Sequence, residues 1–208
     1  MIHIDDFIEN FSATFKDSSS SAPWEITNDL KNRIEKMISN LSDDFVIENN
    51  IAIHKTAVIE NNVTIKSPAI IGENCHVGAN AYFREGVYLD KSVKIGPGCE
   101  IKNSIICSET AVAHFNYIGN SIIGRNINFE AGSIAANHYN ERENKIISVV
   151  YEAGIINTGV SKFGALVGDY SKIGANAVLS PGTILQPGSI VSRLELIDQL
   201  KQIDIESR

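Results

Sequence analysis

The chain is dominated by a repeat in which an aliphatic or aromatic residue returns every six positions. This period is neither the 3.6 residues of a helix nor the alternation of an ordinary half-buried strand. It fits a short strand followed by a tight turn, and three such units make a triangular coil of about 18 residues. Stacked coils pair their strands about 4.8 Å apart, so residues 18 apart lie above one another. The repeated positions are Ile47, Ile53, Ile59, Ile65, Ile71, Val77, Phe83, Leu89, Ile95 and Ile101, and later Val167, Ile173, Leu179, Leu185 and Val191.

Composition supports a fold made of strands. The chain contains 32 Ile against 9 Leu, and isoleucine fits pleated strands better than helices. A smaller apolar residue stands two positions before many of the repeated ones, as at Ala57, Val63 and Cys75. These features predict an all-β parallel solenoid over residues 45–193. A sandwich of short strands would have irregularly spaced turns and no fixed six-residue register.

The two flanks of the repeat are predicted to be helical. Residues 1–44 contain a helix capped by Thr27 or Asn28, and residues 194–208 contain a second, shorter helix. Both would cover the open ends of the solenoid, where backbone groups are unpaired. The apolar stripes of the two helices are Leu30, Ile34, Met37, Ile38 and Leu41, and then Leu196, Ile197, Leu200 and Ile203.

Charge and cysteine content exclude several classes of protein. The chain has 18 Lys and Arg against 25 Asp and Glu, a net charge of -7, which argues against a nucleic-acid partner. No apolar stretch reaches the roughly 18 residues of a membrane span, and the acidic N-terminus does not resemble a signal peptide. Three cysteines without a Cys-x-x-Cys pair favour neither a disulfide framework nor a zinc site. We therefore expect a cytoplasmic protein without a membrane partner.

The repeat is interrupted twice. Ile123 follows Ala113 by ten positions where the register requires twelve, and residues 138–147 are mostly polar and carry no repeat. Interruptions in a regular pattern are often functional, and loops on rigid scaffolds often carry binding groups. We expect residues 138–147 to protrude from the solenoid as a loop.

Three basic residues share one face of the predicted solenoid. Lys66, Arg84 and Lys102 are each 18 apart, so they form a column of like charges. A phosphate between them would relieve the repulsion, with Arg supplying a planar fork and Lys a point charge. The alternative is a solvated surface column, partly neutralised by Glu48, Glu85 and Glu100.

A histidine lies beside the first interruption of the repeat. His114 follows Lys102 by twelve residues, and the residues 18 and 36 before it are Gly96 and Gly78. Because glycine has no side chain, we expect open space beside the imidazole. Histidine titrates near neutral pH and can act as a general base.

The segments around His114 resemble a known family. Residues 113–124, AHFNYIGNSIIG, and residues 126–137, NINFEAGSIAAN, are similar to the acetyltransferase domains of bifunctional glucosamine-1-phosphate N-acetyltransferases/uridyltransferases. Residues 158–169, TGVSKFGALVGD, are similar to the tails of archaeal sugar-1-phosphate nucleotidyltransferases. These are hexapeptide-repeat proteins. The resemblance implies a left-handed β-helix with short terminal helices, a homotrimer, and acetyl-CoA as co-substrate.

The resemblance also assigns roles to individual residues. His114 takes the position of the catalytic base, and Ala175 stands where relatives have a serine that meets the cofactor. The remaining positions are Arg84 and Lys102 for the sugar phosphate, Tyr117, Asn128 and Lys145 for the acceptor, and Asn137 for acetyl-CoA.

These expectations favour an N-acetyltransferase that acts on an amino-sugar phosphate without a metal. Nucleotidyl transfer is not expected, because 44 residues cannot supply a Rossmann-like domain. A non-catalytic β-helix for oligomerisation or ligand sensing is the alternative. A third candidate, a zinc carbonic anhydrase of the same fold, needs two histidines close in sequence, and that pair is lacking among His54, His76, His114 and His138.

Overall fold

A computed structural model describes residues 2–18, 20–152 and 154–201. The chain winds as a left-handed parallel β-helix with three sheets, as predicted. Helices α1 (Phe11–Thr14), α2 (Pro23–Asn28) and α3 (Leu30–Ile38) precede it, with 3-10 turns at Ile4–Asp6 and Lys16–Ser18. The first sheet contains β1 (Phe45–Glu48), β2 (Ile51–His54), β5 (Ala69–Ile71), β8 (Val87–Leu89), β11 (Ser104–Ile106), β14 (Ile122–Ile123), β19 (Ala165–Val167) and β22 (Thr183–Leu185).

The other two sheets hold seven strands each. The second sheet contains β3 (Val58–Ile59), β6 (His76–Val77), β9 (Lys94–Ile95), β12 (Ala111–Val112), β15 (Asn128–Phe129), β20 (Lys172–Ile173) and β23 (Ile190–Val191). The third sheet contains β4 (Thr64–Ile65), β7 (Tyr82–Phe83), β10 (Glu100–Lys102), β13 (Tyr117–Gly119), β16 (Ile134–Ala135), β21 (Val178–Leu179) and β24 (Leu196–Ile197). A separate hairpin is formed by β17 (Ser148–Tyr151) and β18 (Gly154–Asn157).

The repeated apolar residues fill the lumen of the solenoid. Val77, Phe83, Leu89 and Ile101 are completely shielded from solvent there. All three cysteines are free and buried, as expected of small core residues. The six-residue pattern therefore predicted the inward side of the solenoid correctly.

The coils are not uniform in length. Paired residues are 18 apart early in the solenoid, as at Ala69 and Val87, and 17 apart in the middle, as at Ala111 and Asn128. The missing residue falls at the corner between the third and first sheets, where Asn103 and Asn120 adopt left-handed backbone angles (φ 48° and 46°). The two residues that the six-residue register lacks by Ile123 are therefore lost at two separate corners, one after β10, before Ala113, and one after β13.

The N-terminal helices lie along a side of the solenoid, and the expectation that they cap its end was wrong. The stripe of α3 is buried at Leu30, Ile34 and Ile38. It packs on the outward-facing central residues of the first sheet, such as Ile70 and Tyr88. These strands are apolar on both faces, so a helix can bury the outer one. The residue before α3 is Asp29, neither Thr27 nor Asn28.

The loop expected at residues 138–147 is part of a longer insertion. The chain leaves the third sheet after β16, forms the hairpin of β17 and β18, and returns at β19. Tyr139, Ile147, Val149 and Phe163 are buried against the outer face of the first sheet. The insertion therefore packs on the solenoid beside the N-terminal helices, since its apolar residues need cover from water.

The C-terminal helix begins later than expected. Leu196 and Ile197 form β24, the last strand of the third sheet, because they continue the six-residue register. Helical conformation begins at residue 199, and Leu200 lies within it. Ile203 lies outside the described residues.

One buried carboxylate ties the N-terminal segment to the solenoid. Asp169 accepts hydrogen bonds from the backbone N–H of Glu9 (3.0 Å) and of Arg125 (2.7 Å). It also accepts from Nε (3.1 Å) and Nη2 (3.0 Å) of the Arg125 guanidinium. The group is therefore fully used as an acceptor.

We expect Asp169→Ala to lower the free energy of unfolding by about 3 kcal/mol, because Arg125 would lose its buried partner. The exposed Lys172, in β20, provides the control Lys172→Ala. Urea denaturation of both variants measures the difference. A loss in Asp169→Ala no larger than in the control would contradict this role.

Candidate active site

The basic column exists as the 18-residue spacing predicted. Thr64 and Ile65 pair with Tyr82 and Phe83, and these pair with Glu100 and Ile101, so the residues that follow stack as well. They are Lys66, Arg84 and Lys102, at the corner between the third and first sheets. At about 4.8 Å per coil, the column spans about 10 Å.

A further lysine joins this column from the insertion. The pKa of Lys102 is lowered, first by burial and then by the positive charges of Lys162 and Arg84. Lys66, Arg84, Lys102 and Lys162 are called the basic corner below. Like charges held this close favour an anion between them.

Acidic residues offset only part of this charge. Glu100 binds Arg84, with 3.1 Å between Oε1 and Nη1, while Glu85 forms an ion pair with Lys31 of α3. Lys66 places its ammonium 5.4 Å from the centre of the Tyr82 ring. Lys102 has no carboxylate within ion-pair distance among the described residues, so it remains available to an anion.

Tyr117 lies directly above the basic corner. The next position of the column after Lys102 is Gly119. A Cβ atom at Gly119 would lie 2.5 Å from the Tyr117 hydroxyl and 2.9 Å from Cγ of Asn137. The phenol therefore occupies the space that a side chain would otherwise take. Burial and the nearby Glu100 raise the pKa of Tyr117.

Asn137 belongs to a ladder of asparagines at the same corner. Asn103, Asn120 and Asn137 are 17 residues apart, each following a rung of the column in the third sheet. Nδ2 of Asn137 donates to Oδ1 of Asn120 at 2.7 Å, and the Asn137 amide and the Tyr117 hydroxyl both lie against Gly119. The ladder fixes the amide of Asn137 and, through it, the phenol.

We expect Gly119→Ala to displace the Tyr117 ring and to raise the KM for a phosphorylated acceptor about tenfold, with little change in melting temperature. The added methyl would meet a side-chain end that can move, so the backbone need not shift. Steady-state kinetics and a melting curve measure both effects. An unchanged KM would mean that the Tyr117 position does not matter for the acceptor.

His114 lies at the corner between the second and third sheets, at the opposite end of the third-sheet strands from the basic corner. It is exposed, and its ring meets Phe115 edge-on with 5.8 Å between centroids. Its carbonyl accepts hydrogen bonds from the N–H of Gly132 (3.0 Å) and from Nδ2 of Asn116 (3.2 Å). The backbone around the imidazole is therefore held firmly.

The space beside His114 differs from the expectation. Because this coil has 17 residues, the residue below His114 is Pro97, and Gly96 lies under Ala113. A Cβ atom at Gly96 would collide with the Ala113 carbonyl, so that glycine permits close backbone approach and creates no hollow. On the other side, Ala131 and then Ala175 stack above His114. The small side chains next to His114 are therefore those of Ala131 and Ala175, and not the glycines that we expected.

The remaining predicted residues lie apart from the basic corner. Asn128 is exposed on the second sheet, between Ala111 and Lys172. Nζ of Lys145 donates to the carbonyls of Tyr139 (3.3 Å) and Asn140 (3.0 Å), within its own loop.

Comparisons with known proteins decide the family. The GMPPB C-terminal domain family matches residues 67–186. The chain belongs to this family. That range includes the whole of the candidate site described above except Lys66.

Two relatives share a longer stretch with this member of the GMPPB C-terminal domain family. One is the bifunctional protein GlmU of Methanococcus vannielii, 38% identical over 164 residues, which are 77% of this chain and 39% of the relative. The other is a bifunctional sugar-1-phosphate nucleotidylyltransferase/acetyltransferase of Sulfurisphaera tokodaii, 33% identical over 166 residues, 77% of this chain and 41% of the relative. The chain thus spans about two fifths of the length of these relatives.

Among solved structures, a hexapeptide transferase family protein from Anaplasma phagocytophilum is similar with a TM-score of 0.37 and 16% identity. The match covers 74% of this chain and 84% of that one.

Sequence reasoning missed Lys162 and Asn120. Lys162 lies in the segment that resembles the archaeal proteins, but only the fold of the insertion brings it to Lys102. Asn120 could have been found from the 17-residue spacing of Asn103, Asn120 and Asn137, had the coil been recognised as shortened.

In residues 2–18, 20–152 and 154–201, no three His, Cys, Asp or Glu side chains gather as metal ligands would. Over the same ranges, no helix has the length and apolar character needed to cross a bilayer.

Proposed function

We propose that this chain is an acetyl-CoA-dependent N-acetyltransferase that acts on an amino-sugar phosphate. The observation that carries the proposal is that the basic corner, with Tyr117 beside it, and the exposed His114 lie on opposite sides of the third sheet. The anion site and the general base are separated by about the length of one short strand, a distance that suits a small phosphorylated amine. The match to GlmU and to an enzyme named as an acetyltransferase supports the same chemistry.

In the proposed reaction, Arg84, Lys102 and Lys162 hold the phosphate. Tyr117 orients the sugar, and the buried Asn137 holds Tyr117 in place. Asn128 lies on the second sheet, so it would meet the sugar of a neighbouring subunit. Lys145, from the insertion, is a further contact to the acceptor when its loop closes on the sugar.

His114 removes a proton from the amine as its nitrogen attacks the thioester carbonyl. The C–N bond forms, the C–S bond breaks, and coenzyme A leaves as a thiol after it takes up a proton. A backbone N–H stabilises the oxyanion, an interaction worth about 3 kcal/mol. No metal takes part in this scheme.

Coenzyme A would lie in a groove between subunits, near residues 160–190 and along Ala131 and Ala175. Small side chains there leave room for the pantetheine. Exposed apolar residues along the corner that carries His114 support a homotrimer, because Phe115 and Leu194 are 72% and 79% exposed there. Both hold left-handed backbone angles, which bulky residues rarely adopt.

We assign acyl transfer to this chain; its residues 2–18 and 20–41 form short helices and turns beside the solenoid. The use of acetyl-CoA and the presence of three buried cysteines without disulfides both fit a location of the protein in the reducing cytoplasm.

A non-catalytic β-helix is the second candidate. One observation favours it: in the part of the chain that the structure describes, no side chain hydrogen-bonds to the His114 imidazole and orients it. Such a module would bind a sugar phosphate without turning it over.

The test is an assay of free thiol release from acetyl-CoA with glucosamine-1-phosphate and a panel of amino-sugar phosphates. We expect turnover with at least one acceptor. No turnover with any of them, together with no acetyl-CoA binding by calorimetry, would refute the enzyme and leave the module.

A further inference from the structure

The N-terminal segment reaches the basic corner from outside the region that matches the family. Nδ2 of Asn103, the residue after Lys102, donates to the Thr27 carbonyl at 2.6 Å, and both residues are buried. Trp24 meets Phe163 of the insertion edge-on, with 5.9 Å between ring centroids. Helices α2 and α3 are therefore fixed against the corner on two sides.

This packing places the side chain of Lys31, in α3, beside the basic corner. Its stem passes over Gly86, where a Cβ atom would lie 3.3 Å from Cγ of Lys31 and would also collide with Asn103. Gly86 has a positive φ of 78°, so glycine suits this position twice over. The ammonium of Lys31 forms an ion pair with Glu85.

Glu85 is a second acid beside the anion site, in addition to Glu100, which already binds Arg84. It follows Arg84 in sequence and lies one rung below Asn103 at the same corner, since the Asn103 N–H donates to its carbonyl at 3.0 Å. An unpaired Glu85 could bind Arg84 or Lys102 and would repel a phosphate.

We propose that Lys31 is a positioning residue for the anion site, because it binds Glu85 and so keeps that carboxylate from neutralising the basic corner. The inference rests on the proposed function and adds the N-terminal segment to the acceptor site. Its ligand is the phosphate of the acceptor. The charge of Lys31 also acts on Lys102. The pKa of Lys102 is lowered mainly by burial, then by Lys162 and Arg84, and to a smaller extent by Lys31.

The experiment compares Lys31→Ala, Lys31→Arg, the double variant Lys31→Ala/Glu85→Gln, and Lys36→Ala, an exposed lysine of the same helix. We expect Lys31→Ala to raise the KM for the phosphorylated acceptor about threefold to fivefold, the range of one exposed ion pair. The kcat and the KM for acetyl-CoA should not change. Lys31→Arg and the double variant should restore the acceptor KM, and Lys36→Ala should match wild type.

The double variant separates electrostatics from structure. It lacks the ion pair just as Lys31→Ala does, so a purely structural role would leave its KM raised. An unchanged KM in Lys31→Ala, or no recovery in the double variant, would overturn the inference.

A phosphate-binding experiment distinguishes failure of the proposed function from failure of the inference about Lys31. If wild type turns over no acceptor, calorimetry with inorganic phosphate on the same variants gives the answer. A Kd raised in Lys31→Ala and restored in the double variant would uphold the role of Lys31. Equal Kd values, or no phosphate binding by wild type, would overturn it.

Discussion

His114→Asn is expected to lower kcat about 100- to 10,000-fold while the KM values for acceptor and acetyl-CoA change little. The loss is that of a general base, and asparagine keeps a side chain of similar polarity at the corner. The hydrogen bonds that the His114 carbonyl accepts from the Gly132 N–H and from Nδ2 of Asn116 do not depend on the imidazole, so the fold should persist. Steady-state thiol release measures kcat.

His76→Asn is the matched control for this variant. His76 lies on the second sheet and pairs with Glu60, with 3.3 Å between Nε2 and Oε1. Its kcat should equal that of wild type. If the two variants had the same kcat, His114 would not be the base.

Lys102→Met is expected to raise the acceptor KM about 10- to 100-fold, because a hydrogen bond to a charged group contributes about 1.5–3 kcal/mol. The same change should stabilise the ligand-free protein at neutral pH. Burial and the charges of Lys162 and Arg84 lower the pKa of Lys102, so its charged form is held at a cost to folding.

The sign of this effect gives a pH test. The cost is present at pH values below the folded pKa of Lys102, and it disappears as the pH rises through that value towards the ordinary pKa of lysine. Urea denaturation should show Lys102→Met more stable than wild type at pH 7, with the difference shrinking as the pH rises towards the ordinary pKa of lysine. Lys172→Met, at an exposed lysine of the second sheet, is the control. Equal stabilisation in both variants would contradict the role of the basic corner.

The inward side of the fold was predictable because a six-residue period has one structural meaning. The same regularity placed Lys66, Arg84 and Lys102 in one column. Shortened coils were not predictable in the same way, since a turn can lose one residue while the apolar rungs on both sides remain. That single residue moved the neighbour of His114 from Gly96 to Pro97.

The packing on the first sheet was hidden for a different reason. An apolar stripe on α3 indicates that a helix is buried, but not against which surface. A signal was present in the sheet itself, because three-residue apolar strands such as Ala69–Ile71 and Val87–Leu89 are buried on both faces. The path of the insertion, and with it Lys162, depends on tertiary contacts of Phe163 that no local pattern specifies.

The most direct test of the central claim is a crystal structure of this protein with coenzyme A bound. The claim is that acyl transfer takes place at the third sheet, between the basic corner and His114. We predict that the coenzyme A sulfur lies within about 3 Å of the His114 imidazole, or one water away from it, with the pantetheine along Ala131 and Ala175. Coenzyme A bound elsewhere, with its thiol remote from His114, would contradict the account.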